Sequence, residues 1–163
     1  MASIILGLGT NLGDRIANIN KAYDLLEKKL GPIISKSSYY ESEPWGVLDQ
    51  PNFINTAAAF NAEIPTHDLL DLINSIEKDL GRIRYKKWAE RIIDIDILFY
   101  DQEIIHSQKL DIPHPYIHQR SFVIKPAAEI APDYIHPELN ENLKSLSLSC
   151  KDTTKLEIQN ARS

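Results

Sequence analysis

An α+β fold built on one antiparallel sheet is predicted for this chain from three observations. Apolar strand-like runs and amphipathic helical stripes alternate in the order strand, helix, strand, strand, helix, strand; both helical stripes stop at a glycine; and no segment repeats or falls into low complexity. That order is the signature of a ferredoxin-like split βαβ unit, with two helices on one face of the sheet. The chain has 163 residues, which fits one domain over 1–163 and leaves no linker for a second.

Ser3 to Leu8 is a short β-branched run ending at Gly9, the pattern of a buried strand. From Asp14 onward Ile16, Ile19, Tyr23, Leu26 and Leu30 recur at intervals of three and four, and Gly31-Pro32 ends that helical stripe. Ile33 to Glu41 and Phe53 to Ala62 read as extended, joined by a loop whose prolines forbid regular structure and whose length forbids a tight hairpin. A second helix starts with Thr66 as its N-cap and carries Leu69, Leu70, Ile73, Ile76 and Leu80 up to Gly81. Ile92 to Tyr100 alternates as a strand. Beyond Asp101 the chain is expected to be mostly loop, with helices near Gln119 to Ile130 and Glu141 to Ser147 and a last strand around Leu156.

Charge narrows the function. Eighteen Lys and Arg against 23 Asp and Glu leave a formal net charge of −5, so a general electrostatic grip on nucleic acid or an anionic membrane is not expected. Any anion site must be local. The single cysteine, Cys150, can form no internal disulfide, and the apolar run from Ile4 to Leu8 is too short for a membrane span; both favour a cytoplasmic protein. A monomer is expected rather than an oligomer.

The sharpest chemical signal is Ile93-Asp94-Ile95-Asp96-Ile97. A strand period of two puts the isoleucines on one side and both carboxylates on the other, roughly 7 Å apart. At an effective dielectric of 20 two such charges repel by about 2.4 kcal/mol, so an inward-facing pair calls for a cation, and hard carboxylate oxygens suit Mg²⁺. The alternative is a solvated strand face. Directly before the pair, Arg82, Arg84, Lys86, Lys87 and Arg91 concentrate positive charge against Glu90 alone, which would let them clamp phosphate oxygens. The glycines of Gly7-Leu8-Gly9-Thr10-Asn11-Leu12-Gly13 match neither known phosphate-loop spacing and read as a tight structural turn. His114, between Pro113 and Pro115, is held at a loop where it could touch a phosphate. Trp45, Phe53, Trp88 and Phe122 lie in or beside loops rather than on helical core stripes, and such aromatics could form a slot for a planar ligand.

Taken in order, Gly9-Thr10-Asn11-Leu12, Ser38-Tyr39-Tyr40, Asp49-Gln50-Pro51-Asn52-Phe53-Ile54-Asn55, Gly81-Arg82-Ile83-Arg84, Trp88 with Arg91, Asp94-Ile95-Asp96-Ile97, and Ile112-Pro113-His114 with Arg120-Ser121-Phe122 resemble hydroxymethyl-dihydropterin pyrophosphokinase of folate biosynthesis. The resemblance runs from Ser3 to Pro137. It implies an enzyme that binds ATP with two Mg²⁺ ions and moves the terminal diphosphate onto a pterin hydroxymethyl group, releasing AMP. It further implies that Asp94 and Asp96 hold the metals and, with Arg82 and Arg91, carry the catalysis. Ser42, Trp45, Phe53, Asn55, Trp88 and Phe122 would meet the pterin, with Phe53 and Phe122 on the two faces of its ring. Asn74, Glu77, Arg84, Lys87, Trp88, Arg91, Ile97, Lys109, His114 and Arg120 would line the ATP site. The segment Arg84 to Arg91 reads as a lid over both substrates. Lys86 or Lys87 takes the place of an arginine that members usually carry before the tryptophan, keeping the charge but not the fork.

Two other readings are compatible with the same order of elements: a ferredoxin-like module that binds a small molecule without catalysis, and another Mg-dependent nucleotidyltransferase using Asp-x-Asp. The first would release no AMP. The second would attach AMP, not diphosphate, to its product. An RNA-binding version lacks the basic and glycine positions that its third strand needs in Phe53 to Phe60.

Overall fold

The computed structural model describes residues 1–43, 51–81 and 92–159. Its elements run β1 (Ala2–Thr10), α1 (Arg15–Leu30), β2 (Ser35–Lys36), β3 (Tyr39–Ser42), β4 (Phe53–Ala62), α2 (Thr66–Leu80), β5 (Asp94–Tyr100), β6 (Ile105–His106), β7 (Asp111–Ile112), a 3₁₀ turn (Ile117–Gln119), α3 (Ser121–Ile130), α4 (Leu143–Leu148) and β8 (Leu156–Gln159). The main sheet has the order β5-β1-β4-β3-β8 with antiparallel pairings, and β2 also pairs with β4. Its first four strands follow the ferredoxin-like order, and β6 and β7 form a separate hairpin.

Each helix has a local cause. Asp14 accepts the Ala17 N–H at 3.2 Å, capping α1, and Lys28 and Lys29 sit in its last turn, where the helix dipole favours cations. Gly31 ends it at φ 95°, a conformation a side chain resists. Thr66 is not the cap of α2. Pro65 takes that place, because its extended backbone turns its carbonyl onto the Leu69 N–H at 2.9 Å, and Thr66 becomes the first helical residue.

The expected strand from Ile33 to Glu41 is interrupted between β2 and β3. There the Ser37 hydroxyl accepts the Ala57 N–H at 2.9 Å, and Glu129 of α3 accepts the Ser38 N–H at 2.9 Å, so side chains replace ladder bonds. In β5 the alternation holds to Ile97 and then breaks. Leu6 pairs with Ile97 but Ile5 pairs with Phe99, which makes Leu98 the extra residue of a bulge and turns both Leu98 and Phe99 to the same face.

Two cores result. Ile4, Leu6, Leu8, Ile54 and Phe60 pack with α1 and α2 through Ile19, Leu26, Leu69 and Ile73 on one face. Ile5, Leu98 and Phe99 pack with Ile124 and Ala127 of α3 and Leu143 and Leu146 of α4 on the other. The C-terminal third is therefore more than loop: its two helices cover the second face of the sheet. Each fully buried aliphatic side chain contributes about 1.5–3 kcal/mol. Among the described residues no helix is long and apolar enough to cross a membrane.

Candidate active site

The sheet face under α3 is not covered completely, and the opening begins at two glycines. Gly9 of β1 pairs with Asn55 on one side and Asp94 on the other; Gly7 pairs with Ala57 and Asp96. These glycines are strand residues, not the tight turn expected of them; only Gly13, at φ 61°, sits in a turn. A Cβ at Gly9 would stand 2.6 Å from Asn55 Oδ1, and one at Gly7 would press on the Leu98 side chain at 3.2 Å. Close approach explains both. Asn55, itself buried, donates from Nδ2 to Ser42 Oγ at 3.1 Å, which links β4 to the end of β3.

Above this floor is a cavity of about 320 Å³. Phe53, Asn55 and Ser42 border it from β4 and β3, Asp94 and Asp96 from β5, and Arg120, Phe122 and His114 from the segment leading into α3. The carboxylates are exposed while Ile93, Ile95 and Ile97 are buried, as the strand period requires.

A second cavity of about 250 Å³ opens on the other side of β5. Leu70 and Ile73 of α2, Ile95 and Ile97 of β5, and Lys109 border it. Asp96 and His114 border both cavities. His114 is anchored by its N–H to the Leu98 carbonyl at 3.3 Å, and its Nδ1 accepts a long bond from the Tyr116 N–H at 3.4 Å. Burial pushes its pKa below the ordinary value and the Arg120 charge pushes the same way, while Asp96 and Asp111 oppose them. The ring is thus neutral at pH 7, with Nε2 left to carry the proton.

At the mouth of the first cavity α3 begins without a cap of its own, since Arg120 makes no side-chain cap bond. The acceptor comes from the distant Asp152, whose Oδ2 takes the Ser121 N–H at 2.9 Å and the Ser121 hydroxyl at 3.1 Å. The Arg120 guanidinium lies 4.9 Å from the centre of the Tyr116 ring.

Of the residues singled out from the sequence, Asp94, Asp96, Ser42, Phe53, Asn55, Phe122, His114 and Arg120 meet at the first cavity, and Ile97 and Lys109 at the second. Phe53 opens β4 and Phe122 lies in the first turn of α3, each at the end of an element beside a loop. Glu77 accepts the Ile95 N–H at 2.8 Å, fastening α2 to β5, and Asn74 is exposed on α2 beside Ile73. Trp45, Arg82, Arg84, Lys86, Lys87, Trp88 and Arg91, and with them the expected lid, lie outside the described residues. Sequence reasoning missed Gly7, Gly9, Leu98 and Asp152. Glycines two apart inside a strand pattern were a usable signal for the first pair. Among the described residues no group of three or more His, Cys, Asp or Glu could hold a metal ion, so a cation here would rest on the two aspartates together with oxygens of its ligand. Cys150 is a half-buried free thiol against the second core.

Residues 5–132 match the model of the family described as 7,8-dihydro-6-hydroxymethylpterin-pyrophosphokinase (HPPK). Over 144 residues, 88% of this chain and 89% of the relative, the sequence is 43% identical to the 2-amino-4-hydroxy-6-hydroxymethyldihydropteridine pyrophosphokinase of Aquifex aeolicus. Over 136 residues, 83% and 86% of the two chains, it is 40% identical to the protein of the same name in Methylorubrum extorquens. A crystal structure of Plasmodium falciparum HPPK-DHPS superposes with a TM-score of 0.70 at 20% identity, covering 91% of this chain and 43% of that longer one. At that identity the superposition speaks for the fold.

Proposed function

The chain belongs to the 7,8-dihydro-6-hydroxymethylpterin-pyrophosphokinase family, and from that premise we propose that its two cavities are the pterin and nucleotide sites of one diphosphoryl transfer. The reaction moves the terminal diphosphate of ATP to 6-hydroxymethyl-7,8-dihydropterin and releases AMP, a step of folate biosynthesis. The observation that carries the assignment is that Asp96 and His114 border both cavities, so a group passed from a ligand in one to a ligand in the other crosses the edge of β5 that holds the carboxylates.

In this reading the pterin ring enters the first cavity between Phe53 and Phe122, and Asn55 binds its amide-like edge while Ser42 closes that end. The adenine half of ATP takes the second cavity, against Leu70, Ile73 and Ile97, with Lys109 at its rim. Neutral His114 donates from Nε2 to a phosphate oxygen, and Arg120 adds a fixed positive charge on the same side. The pterin hydroxymethyl oxygen then bonds to the β-phosphorus, the bond from that phosphorus to the α-bridging oxygen breaks toward AMP, and the hydroxyl proton passes to solvent. Among the described residues no side chain is placed as its base, so the protein contributes positioning and charge.

Asp94 and Asp96 fit Mg²⁺ in chemistry: two hard carboxylates on one strand face, exposed into the cavity where the phosphates would lie. Two such ions, held there, would neutralise phosphate charge during transfer. From the resemblance in the sequence we infer that Arg82 and Arg91 take part in catalysis, that Arg84, Lys87, Trp88 and Arg91 line the ATP site, and that Trp45 and Trp88 meet the pterin. The lone cysteine supports a cytoplasmic location.

The test is a product analysis. Incubation with Mg²⁺, ATP and reduced hydroxymethylpterin should give AMP and the pterin diphosphate in equal amounts. Intact ATP alongside bound pterin would make this a binding module. A pterin carrying the α-phosphate would make it a nucleotidyltransferase.

A further inference from the structure

α3 brings Phe122 to the first cavity, yet its own N-cap residue supplies no side-chain cap to its start. The Arg120 carbonyl takes the Val123 and Ile124 N–H groups, each at 3.0 Å, but its side chain makes no cap bond, and the Ser121 N–H turns to an acceptor from elsewhere in the chain. The acceptor comes from the chain segment after α4, beyond the residues 5–132 that the family model matches. Asp152 divides its carboxylate. Oδ2 holds the Ser121 N–H and hydroxyl, at 2.9 and 3.1 Å, and Oδ1 holds the N–H and hydroxyl of Thr154, at 2.9 and 2.6 Å. Two residues on from Thr154 the chain enters β8, which pairs with β3 and sets Leu156 opposite Ser42. One short segment therefore links the start of α3, beside Phe122, to the end of β3, where Ser42 borders the same cavity. The other end of α3 is tied to β3 as well, because Glu129 accepts from the Tyr40 hydroxyl and from the N–H and hydroxyl of Ser38.

We propose that Asp152 is a positioning residue for the pterin site: by capping α3 from outside, it fixes the separation of the Phe122 ring from the β3–β4 wall. The inference rests on the reading that Phe122 stacks on the pterin. Asp152 touches no substrate and acts through Ser121 and the helix start.

A double-mutant cycle tests it, with pterin affinity read by calorimetry and KM for both substrates read in the full reaction. Asp152→Ala should weaken pterin binding by about fivefold, the scale of losing one helix cap, and should raise the ATP KM by less than that, because Arg120 at the same helix start faces the phosphates. In a Phe122→Ala background the same substitution should cost nothing further, a coupling that general loosening of the fold would not produce. Asp152→Asn, which keeps an oxygen to face Ser121, should recover most of the affinity. If Asp152→Ala does not fold, Asp152→Ser, whose hydroxyl stops short of Ser121, replaces it in the cycle. Wild-type pterin affinity in the Asp152 variant, or equal losses with and without Phe122, overturns the positioning role while leaving the site assignment standing. An unchanged affinity in Phe122→Ala alone overturns both, and so separates the two failures.

Discussion

Asp94 and Asp96 show how far a two-residue pattern reaches. The alternation with isoleucine set their face, and the fold turned that face toward a cavity because β1 offers glycine opposite each of them. Their mutual repulsion is tolerable because both remain exposed and solvent screens it. Asp94→Ala and Asp96→Ala should therefore each lower turnover by about a hundredfold or more while the melting temperature holds or rises, since each removes one of two like charges. Steady-state kinetics at limiting Mg²⁺, paired with thermal melts, checks this; near-normal turnover in both variants removes the acids from the chemistry. Gly9 was read as the end of a strand, whereas it lies inside β1, and its partner was not legible: the contact with Asn55 joins residues far apart in sequence, and one chain read alone does not show which side chain lies across the sheet.

The elements were legible where periodicity is local. The stripe of α1, the stripe of α2 and the β5 alternation all emerge from spacing, and the ferredoxin-like order follows from their succession. What escaped was decided by tertiary bonds, namely the break between β2 and β3 made by Ser37 and Glu129, the Leu98 bulge, and the placement of α3 and α4 on the second face. That placement separates two kinds of destabilisation. Leu26 on α1 and Ile124 on α3 are both fully buried, so truncation of either to alanine should cost about 2–5 kcal/mol in denaturant unfolding. Only Ile124→Ala should also raise the pterin KM, because α3 carries Phe122 whereas α1 lies on the opposite face. Equal KM values in the two variants at a temperature where both are folded would mean that α3 does not set the cavity wall.

Across the whole molecule, the sheet is a plate between two cores, and three of its histidines respond to protons in opposite senses. His114 at the cavity and His136 against Phe99 are shifted down, in each case chiefly by burial, so the folded state keeps them neutral. His106 on β6 is shifted up, first by its bond to Glu138 at 2.9 Å and then by Asp111 at 3.2 Å. As pH falls through the ordinary histidine range the unfolded chain binds protons that His114 and His136 refuse, and stability drops. His106 does the reverse: its contribution is complete below the unfolded pKa and is lost as pH rises through the higher folded one. The two senses partly cancel on the acid side. Replacing His106 by glutamine keeps a polar side chain at the hairpin but removes the proton, so His106→Gln should lose more stability between about pH 7.5 and about pH 5.5 than the parent does. Urea unfolding of both proteins at the two pH values measures the difference. An acid-side loss no steeper in the variant would show that the pairs joining β6 to Glu138 and Asp111 contribute nothing in solution, which is the fate of many exposed ion pairs.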